Sequence, residues 1–190
     1  MEKSSASLYY LCMVNPTIFK SYDIRGIYPD GLDEKIAYAI GRGFVKYTKA
    51  KSVAVGQDAR ISSPVLFKGL TKGIMAEGAN VFNLGQVPTE CLYFAVGKYD
   101  FNAGIMITAS HNPKEYNGFK MLARPKLISE GELKKNGGGI EIIRGEVLRF
   151  AVEAEDFKNS VTGGATEQRD IWQDYAKHIL SLIDLDKIKP

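Results

Sequence analysis

Thr108-Ala-Ser-His-Asn-Pro113 holds the densest run of chemistry in the chain: a hydroxyl, an imidazole and a carboxamide in consecutive positions, Ser110, His111 and Asn112. It directly follows Gly104 to Ile107, an apolar run of the kind that forms a fully buried strand. In an open α/β sheet ligands bind outside the carboxyl ends of the strands, so a serine there is placed to react or to hold an anion. Serine, asparagine and proline also form turns, and the segment by itself reads first as a turn, so its context must decide. A hydrolase built on Ser110 and His111 is disfavoured, because neighbours in a chain rarely reach base–nucleophile geometry and no third orienting residue stands nearby.

Two more polar clusters each carry an arginine, the side chain that grips phosphate through a planar two-pronged contact. Tyr22-Asp-Ile-Arg-Gly26 precedes the first helical pattern and brings Tyr22 and Arg25; Gly56-Gln-Asp-Ala-Arg60 follows the first clear strand and brings Asp58 and Arg60. Singly, each is a solvated loop with an Asp–Arg pair. Together with the serine segment they form three loops able to converge on one anion. In Tyr116-Asn-Gly-Phe-Lys120 the pair Asn117-Gly118 predicts a tight turn, and Lys120 on its own is a surface lysine.

The elements that position these residues alternate. Ile36, Ile40, Phe44 and Tyr47 recur at helical spacing behind a capping Asp33. Ser52 to Gly56 predicts a strand, and Ser63-Pro64 an N-cap and first helical residue. That helix turns Val65, Leu66, Leu70 and Ile74 inward and stops at Gly78, and Asn80 to Leu84 returns as a strand. Thr89 caps a third helix carrying Leu92, Tyr93 and Val96, with Cys91 in its packing, and two strands follow at Gly104 to Thr108 and Gly118 to Leu122. Ile140 to Phe150 fits a short helix or a strand, after a glycine cluster at Asn136 to Gly139. Ile171, Tyr175, Ile179 and Ile183 resume a helical pattern, with His178 a surface or partly buried residue on it. Alternation of this kind means α/β layering.

The chain has 190 residues, enough for one complete domain and at most the start of another. Apolar residues at 45% and charged residues at 25% allow an ordinary core. A net charge of +3 with both signs scattered makes neither nucleic acid nor an anionic membrane an expected partner. Cys12 and Cys91 stand alone, without a disulfide framework or zinc spacing, which suits a reducing compartment and predicts cytoplasm. Leu8 to Val14 is too short to span a bilayer and has the wrong flanks for a signal peptide.

Phe19-Lys-Ser-Tyr-Asp-Ile-Arg-Gly26, Gly56-x-Asp-x-Arg60, Thr108-Ala-Ser-His-Asn-Pro113 and Tyr116-Asn-Gly-Phe-Lys120, in that order, resemble the α-D-phosphohexomutase family. The likeness is to its phosphomannomutase/phosphoglucomutase branch; phosphoglucosamine mutases open with a Thr-Asp-Gly-Ile-Arg-Gly pattern instead. It covers Asn15 to about Leu122 strongly. The fold it implies is a mixed, mostly parallel sheet sandwiched between helices, plus an incomplete second domain. The expected boundaries are an extension at 1–14, the first domain at 15–155 and the start of a second at 156–190. Residues 1–12 are expected to lie upstream of the fold, and the chain to be part of a longer family pattern.

The resemblance further implies interconversion of hexose 1-phosphates and hexose 6-phosphates through a phosphoserine at Ser110. Lys120 matches the family's proposed general base, His111 its substrate-contacting histidine, and Arg25 an electrostatic support for the lysine. Tyr22, Asp58, Arg60, Asn112 and Asn117 fall on substrate-binding positions. Implied cofactors are Mg2+, which the Ser110 phosphate would ligate, and a hexose 1,6-bisphosphate activator. The family's Asp-Gly-Asp-Gly-Asp metal loop is absent from the sequence; Asp184-Leu-Asp186 is its nearest match and lacks the glycines. Gln57 stands where many relatives carry arginine. Two alternatives therefore stay open: a non-catalytic sugar-phosphate-binding module, and an interaction fragment that self-associates through exposed interdomain surface.

Overall fold

The computed structural model describes residues 14–124, 139–153, 163–184 and 187. The strands are β1 (Asp23–Ile27), β2 (Ser52–Gln57), β3 (Asn80–Gln86), β4 (Ala103–Ile107), β5 (Tyr116–Ala123) and β6 (Thr166–Gln168). The helices are α1 (Glu34–Thr48), α2 (Ser63–Ala76), α3 (Thr89–Lys98), α4 (Gly139–Glu153) and α5 (Trp172–Ser181), and a 3-10 turn lies at Pro16–Ile18. The strands lie side by side in the order β1-β5-β4-β2-β3-β6. β4, β2, β3 and β6 run parallel, while β5 is antiparallel to both β4 and β1.

The side-chain period of two puts alternate residues of each strand on opposite faces, and each face buries a separate apolar cluster. Val53 and Val55 of β2, Ile105 of β4 and Phe119 of β5 pack under α1, α2 and α4, against Ile40, Phe44, Leu70 and Val147. Ala54 and Met106 face the other way, onto Leu92, Ala95 and Val96 of α3 and onto Ile171 just ahead of α5. The result is an α/β sandwich with a mixed sheet.

Local chemistry sets the element ends. The Asp33 carboxylate accepts the Ile36 N–H at 2.8 Å, satisfying an orphan donor at the start of α1. α2 stops at Ala76, two residues before Gly78, as the sequence predicts. Its start lies one residue earlier than expected: Ser62 is the cap position and Ser63 is already helical, because the Ser63 hydroxyl is drawn away to Asp58. Thr89 likewise opens α3 as its first residue rather than as its cap, which is Pro88. Val65 and Tyr93, expected inward, are 37% and 49% exposed; the core contacts of those helices are met by Leu66 and Leu70, and by Cys91 and Leu92. Ile140 to Phe150 is helical, within α4.

Two corrections bear on the site. Tyr22 to Gly26 is no loop: Asp23–Ile27 is an edge strand paired residue for residue with Tyr116–Lys120. Asn117-Gly118 accordingly lies inside β5 and makes no turn, Arg25 standing opposite Gly118 and Gly26 opposite Asn117. Tertiary pairing overrides the local turn preference because only glycine fits there. A Cβ on Gly118 would lie 2.2 Å from the Ile24 carbonyl oxygen and 3.1 Å from that of Thr108.

Cys12, the glycine cluster from Asn136 up to Gly138, the boundary expected at 155/156 and Asp186 lie outside the described residues. β6 extends the sheet by pairing with β3, and the Tyr99 hydroxyl donates to Asp174 of α5 at 2.6 Å. α5 leaves Trp172, Ile179 and Leu180 exposed, and Leu182 and Ile183 follow them. His178 is exposed, its ring 5.1 Å from that of Phe94. Cys91 is buried on the α3 side, and burial pushes its thiol pKa up.

Candidate functional site

The serine segment leaves the carboxyl end of β4, as the strand pattern predicts. Thr108 starts it, its N–H bonded to the Gly118 carbonyl at 2.9 Å, and the Thr108 hydroxyl accepts the Ser110 N–H at 3.0 Å. Ser110 itself is exposed and has φ +56°, in the left-handed region that costs a non-glycine residue about 1–2 kcal/mol. The loop supplies that energy through bonds on either side of the serine. Asn112 closes it by donating both its backbone N–H and its side-chain amide to the Ala109 carbonyl, at 3.1 and 2.7 Å.

His111 is exposed beside the serine, with Nδ1 3.3 Å from the Ser110 Oγ. The structure thus brings together two neighbours that sequence reasoning keeps apart.

Arg60 lies under the loop. Its Nη2 donates to the carbonyls of Ser110 and Asn112 at 2.9 and 2.8 Å. Its Nη1 donates to those of Pro113 and Tyr116 at 2.7 and 3.0 Å. Its Nε donates to Asp58 at 3.1 Å. These are all five N–H donors a guanidinium has. Asp58, held at the end of β2 by the bond from its N–H to the Ile107 carbonyl, also accepts the Ser63 hydroxyl at 2.8 Å. The buried Asn117 carboxamide donates to the hydroxyls of Ser62 and Ser63 at 2.8 and 3.0 Å and accepts the Gly118 N–H at 2.8 Å. A chain of hydrogen bonds therefore runs from β5 through the start of α2 to Asp58, Arg60 and the serine loop.

Of the residues singled out from sequence, Asp58, Arg60 and Asn117 spend their side-chain polar atoms on this frame, and Asn112 its side-chain amide donor. Ser110, His111, Lys120, Arg25 and Tyr22 remain open to solvent to different degrees. Arg25, on β1 two strands from β4, is held by Asp23 at 2.6 Å. Asp23, Lys120 and Met106 stand in register across β1, β5 and β4, on the face opposite Phe119. Lys120 is half-buried, and among the described residues its side chain has neither a hydrogen-bond nor an ion-pair partner. Tyr22 is 91% exposed at the start of β1.

A groove of about 760 Å³ runs along the outer side of the frame, lined by Asp58, Arg60, Ile61, Asn112 and Lys114. A second, of about 320 Å³, holds Arg25 with Lys20, Asp30 and Tyr116. Ser110 stands outside both, on the open surface. Among the described residues, no three His, Cys, Asp or Glu side chains cluster closely enough to hold a metal ion. Asp184 is paired with Lys187 at 2.8 Å.

Sequence reasoning misses Ser62, Ser63, Asp23 and Gly118 as parts of the site. Asp23 and Gly118 carried a signal, sitting two residues from Arg25 and from Lys120 in strands that turn out to be paired. The two serines carried only a helix-start signal.

Residues 16–132, more than half of the chain, match the family described as "Phosphoglucomutase/phosphomannomutase, alpha/beta/alpha domain I". A phosphomannomutase of Salmonella montevideo is 38% identical over 94% of this chain and 37% of its own length. The phosphomannomutase/phosphoglucomutase of Pseudomonas aeruginosa is 36% identical over 90% of this chain and 35% of its own. A crystal structure of a phosphoglucomutase/phosphomannomutase family protein from Burkholderia thailandensis superposes with a TM-score of 0.71 at 34% identity, covering 91% of this chain and 37% of that one. The chain spans a little over a third of the length of these relatives.

Proposed function

The chain belongs to the phosphoglucomutase/phosphomannomutase family through its first α/β/α domain, and from that premise we propose that Ser110 carries the phosphoryl group exchanged with a hexose phosphate. The reaction is an intramolecular phosphotransfer that interconverts hexose 1-phosphate and hexose 6-phosphate. The observation that carries the reading is the placement of Ser110: exposed, at the carboxyl end of a buried strand, in a left-handed conformation that its own loop maintains.

In the forward step the bond from phosphorus to the Ser110 Oγ breaks as a bond to the free sugar hydroxyl oxygen forms, and the hydroxyl proton passes to the Lys120 Nζ. In the return step the other phosphoryl group moves to the Ser110 Oγ, and the proton goes back to the sugar oxygen it leaves. Lys120 suits this role because no described carboxylate neutralises it. Arg25 offers the developing negative charge a cation once the sugar phosphate competes with Asp23 for it. His111, 3.3 Å from the Oγ, hydrogen-bonds the departing or arriving serine oxygen. Tyr22 borders the sugar.

Hexose 1,6-bisphosphate serves as the donor that recharges Ser110. Mg2+ is the ion implied by the family, yet the described residues assemble no divalent-cation site, and a phosphate on Ser110 would give such an ion one contact. No helix among the described residues is long and apolar enough to cross a membrane. Two cysteines without a disulfide framework suit a reducing compartment, the cytoplasm. The apolar side chains left exposed on α5 are the surface through which self-association would occur.

The test is conversion of glucose 1-phosphate to glucose 6-phosphate, and of the mannose pair, with Mg2+ and the bisphosphate, alongside a Ser110→Ala control. Turnover abolished by the control supports the reading. Turnover that survives it overturns the serine's role. Saturable sugar-phosphate binding with no isomerisation by the folded chain selects the binding-module reading.

A further inference from the structure

We infer that Arg60 is a positioning residue that builds the serine loop, rather than a group that binds the substrate's phosphate. The inference rests on the reading of Ser110 as the phosphoryl-bearing residue and adds how that residue is held.

The guanidinium collects four main-chain carbonyls, those of Ser110, Asn112, Pro113 and Tyr116, while Asp58 fixes its Nε. Its side chain is 14% exposed, so no edge of the fork is left for an incoming anion. The four carbonyls are the negative ends of peptide dipoles. Gathering them on one buried cation turns them inward, away from the exposed Ser110 Oγ, where a phosphate would repel them. Among the described residues the N–H groups of His111, Lys114 and Glu115 find no acceptor, so the same arrangement leaves these three donors unspent. Lysine cannot replace arginine in this role: three donors on a single nitrogen do not span four carbonyls and a carboxylate. An arginine that only attracted phosphate would be replaced by lysine with modest loss.

The experiment uses the whole chain. In the wild type, NMR of the Arg60 side chain should show separately resolved Nη protons that do not move when inorganic phosphate or glucose 1-phosphate is added. Averaged Nη protons, or a shift on adding phosphate, would overturn the proposal, and this measurement needs no variant to fold. Arg60→Met and Arg60→Lys should both speed amide exchange across residues 108–116 by about tenfold or more, with β2 and β4 unchanged. Both should slow phosphoryl uptake at Ser110 from glucose 1,6-bisphosphate by a similar factor. If Arg60→Lys instead matches the wild type in exchange and uptake while Arg60→Met loses uptake, charge alone is at work and the clamp is refuted. If the wild type takes up no phosphoryl group at all, the reading of Ser110 fails, and the NMR and exchange measurements still decide the clamp.

Discussion

Asn117 separates a structural tie from a ligand contact more sharply than any other residue of the site. Its carboxamide is fully buried and makes three hydrogen bonds of 2.8 to 3.0 Å, two to the hydroxyls that open α2 and one to the Gly118 N–H. Asn117→Ala removes all three. At about 1 kcal/mol net for each buried neutral bond, and more where a partner is left unsatisfied, the loss is roughly 2–4 kcal/mol. For a chain of this size that lowers the melting temperature by roughly 5–15 °C. Urea unfolding followed by far-UV circular dichroism measures it, with an unchanged m-value showing that the denatured state is unaltered. Because Ser63 passes the connection on to Asp58, and Asp58 to Arg60, the exchange protection of the serine loop should fall with stability. A variant as stable as the wild type to within about 0.5 kcal/mol, yet unable to bind glucose 1-phosphate, would refute the reasoning and make Asn117 a ligand contact.

Ser110→Gly should be at least as stable as the wild type, gaining up to about 1 kcal/mol because glycine adopts φ +56° without strain, and should accept no phosphoryl group; thermal unfolding and intact mass check both. Gly118→Ala should lose about 1–3 kcal/mol or more in denaturant unfolding, since its Cβ would press on the Ile24 carbonyl. Burial first, then its bond to Asp174, pushes the Tyr99 pKa up to about 12. An unfolded tyrosine titrates near 10, so the contribution of Tyr99 is complete below pH 10 and is lost as pH rises from 10 to 12. Trp172 fluorescence, the only tryptophan signal and one that comes from α5, should change over that window in the wild type and not in Tyr99→Phe. Sedimentation should show self-association that Leu180→Glu, on the exposed side of α5, abolishes.

The core of the fold was legible because helices and parallel strands announce themselves by period. Val53 and Val55 against Ala54, and Ile36, Ile40 and Phe44, follow the rules of burial on one face or two. The edge of the sheet was not, because its pattern belongs to pairing. Asp23 and Arg25 lie on a strand face that neither apolar cluster uses, so they read as loop residues, and Asn117-Gly118 read as a turn until β1 took the place beside it. The serine loop was legible from its place after β4. The use of Arg60 was not, since its four loop partners lie 50 to 56 residues further along the chain. No local spacing encodes a contact of that kind; it follows from β2 and β4 being neighbours.

Phosphopeptide mapping of the protein purified from its own cells shows whether Ser110 bears the phosphoryl group. Ser110 should carry phosphoserine, discharged by excess glucose 6-phosphate and restored by glucose 1,6-bisphosphate. An unmodified Ser110 that the bisphosphate does not phosphorylate, or a phosphoryl group on another residue, would contradict this.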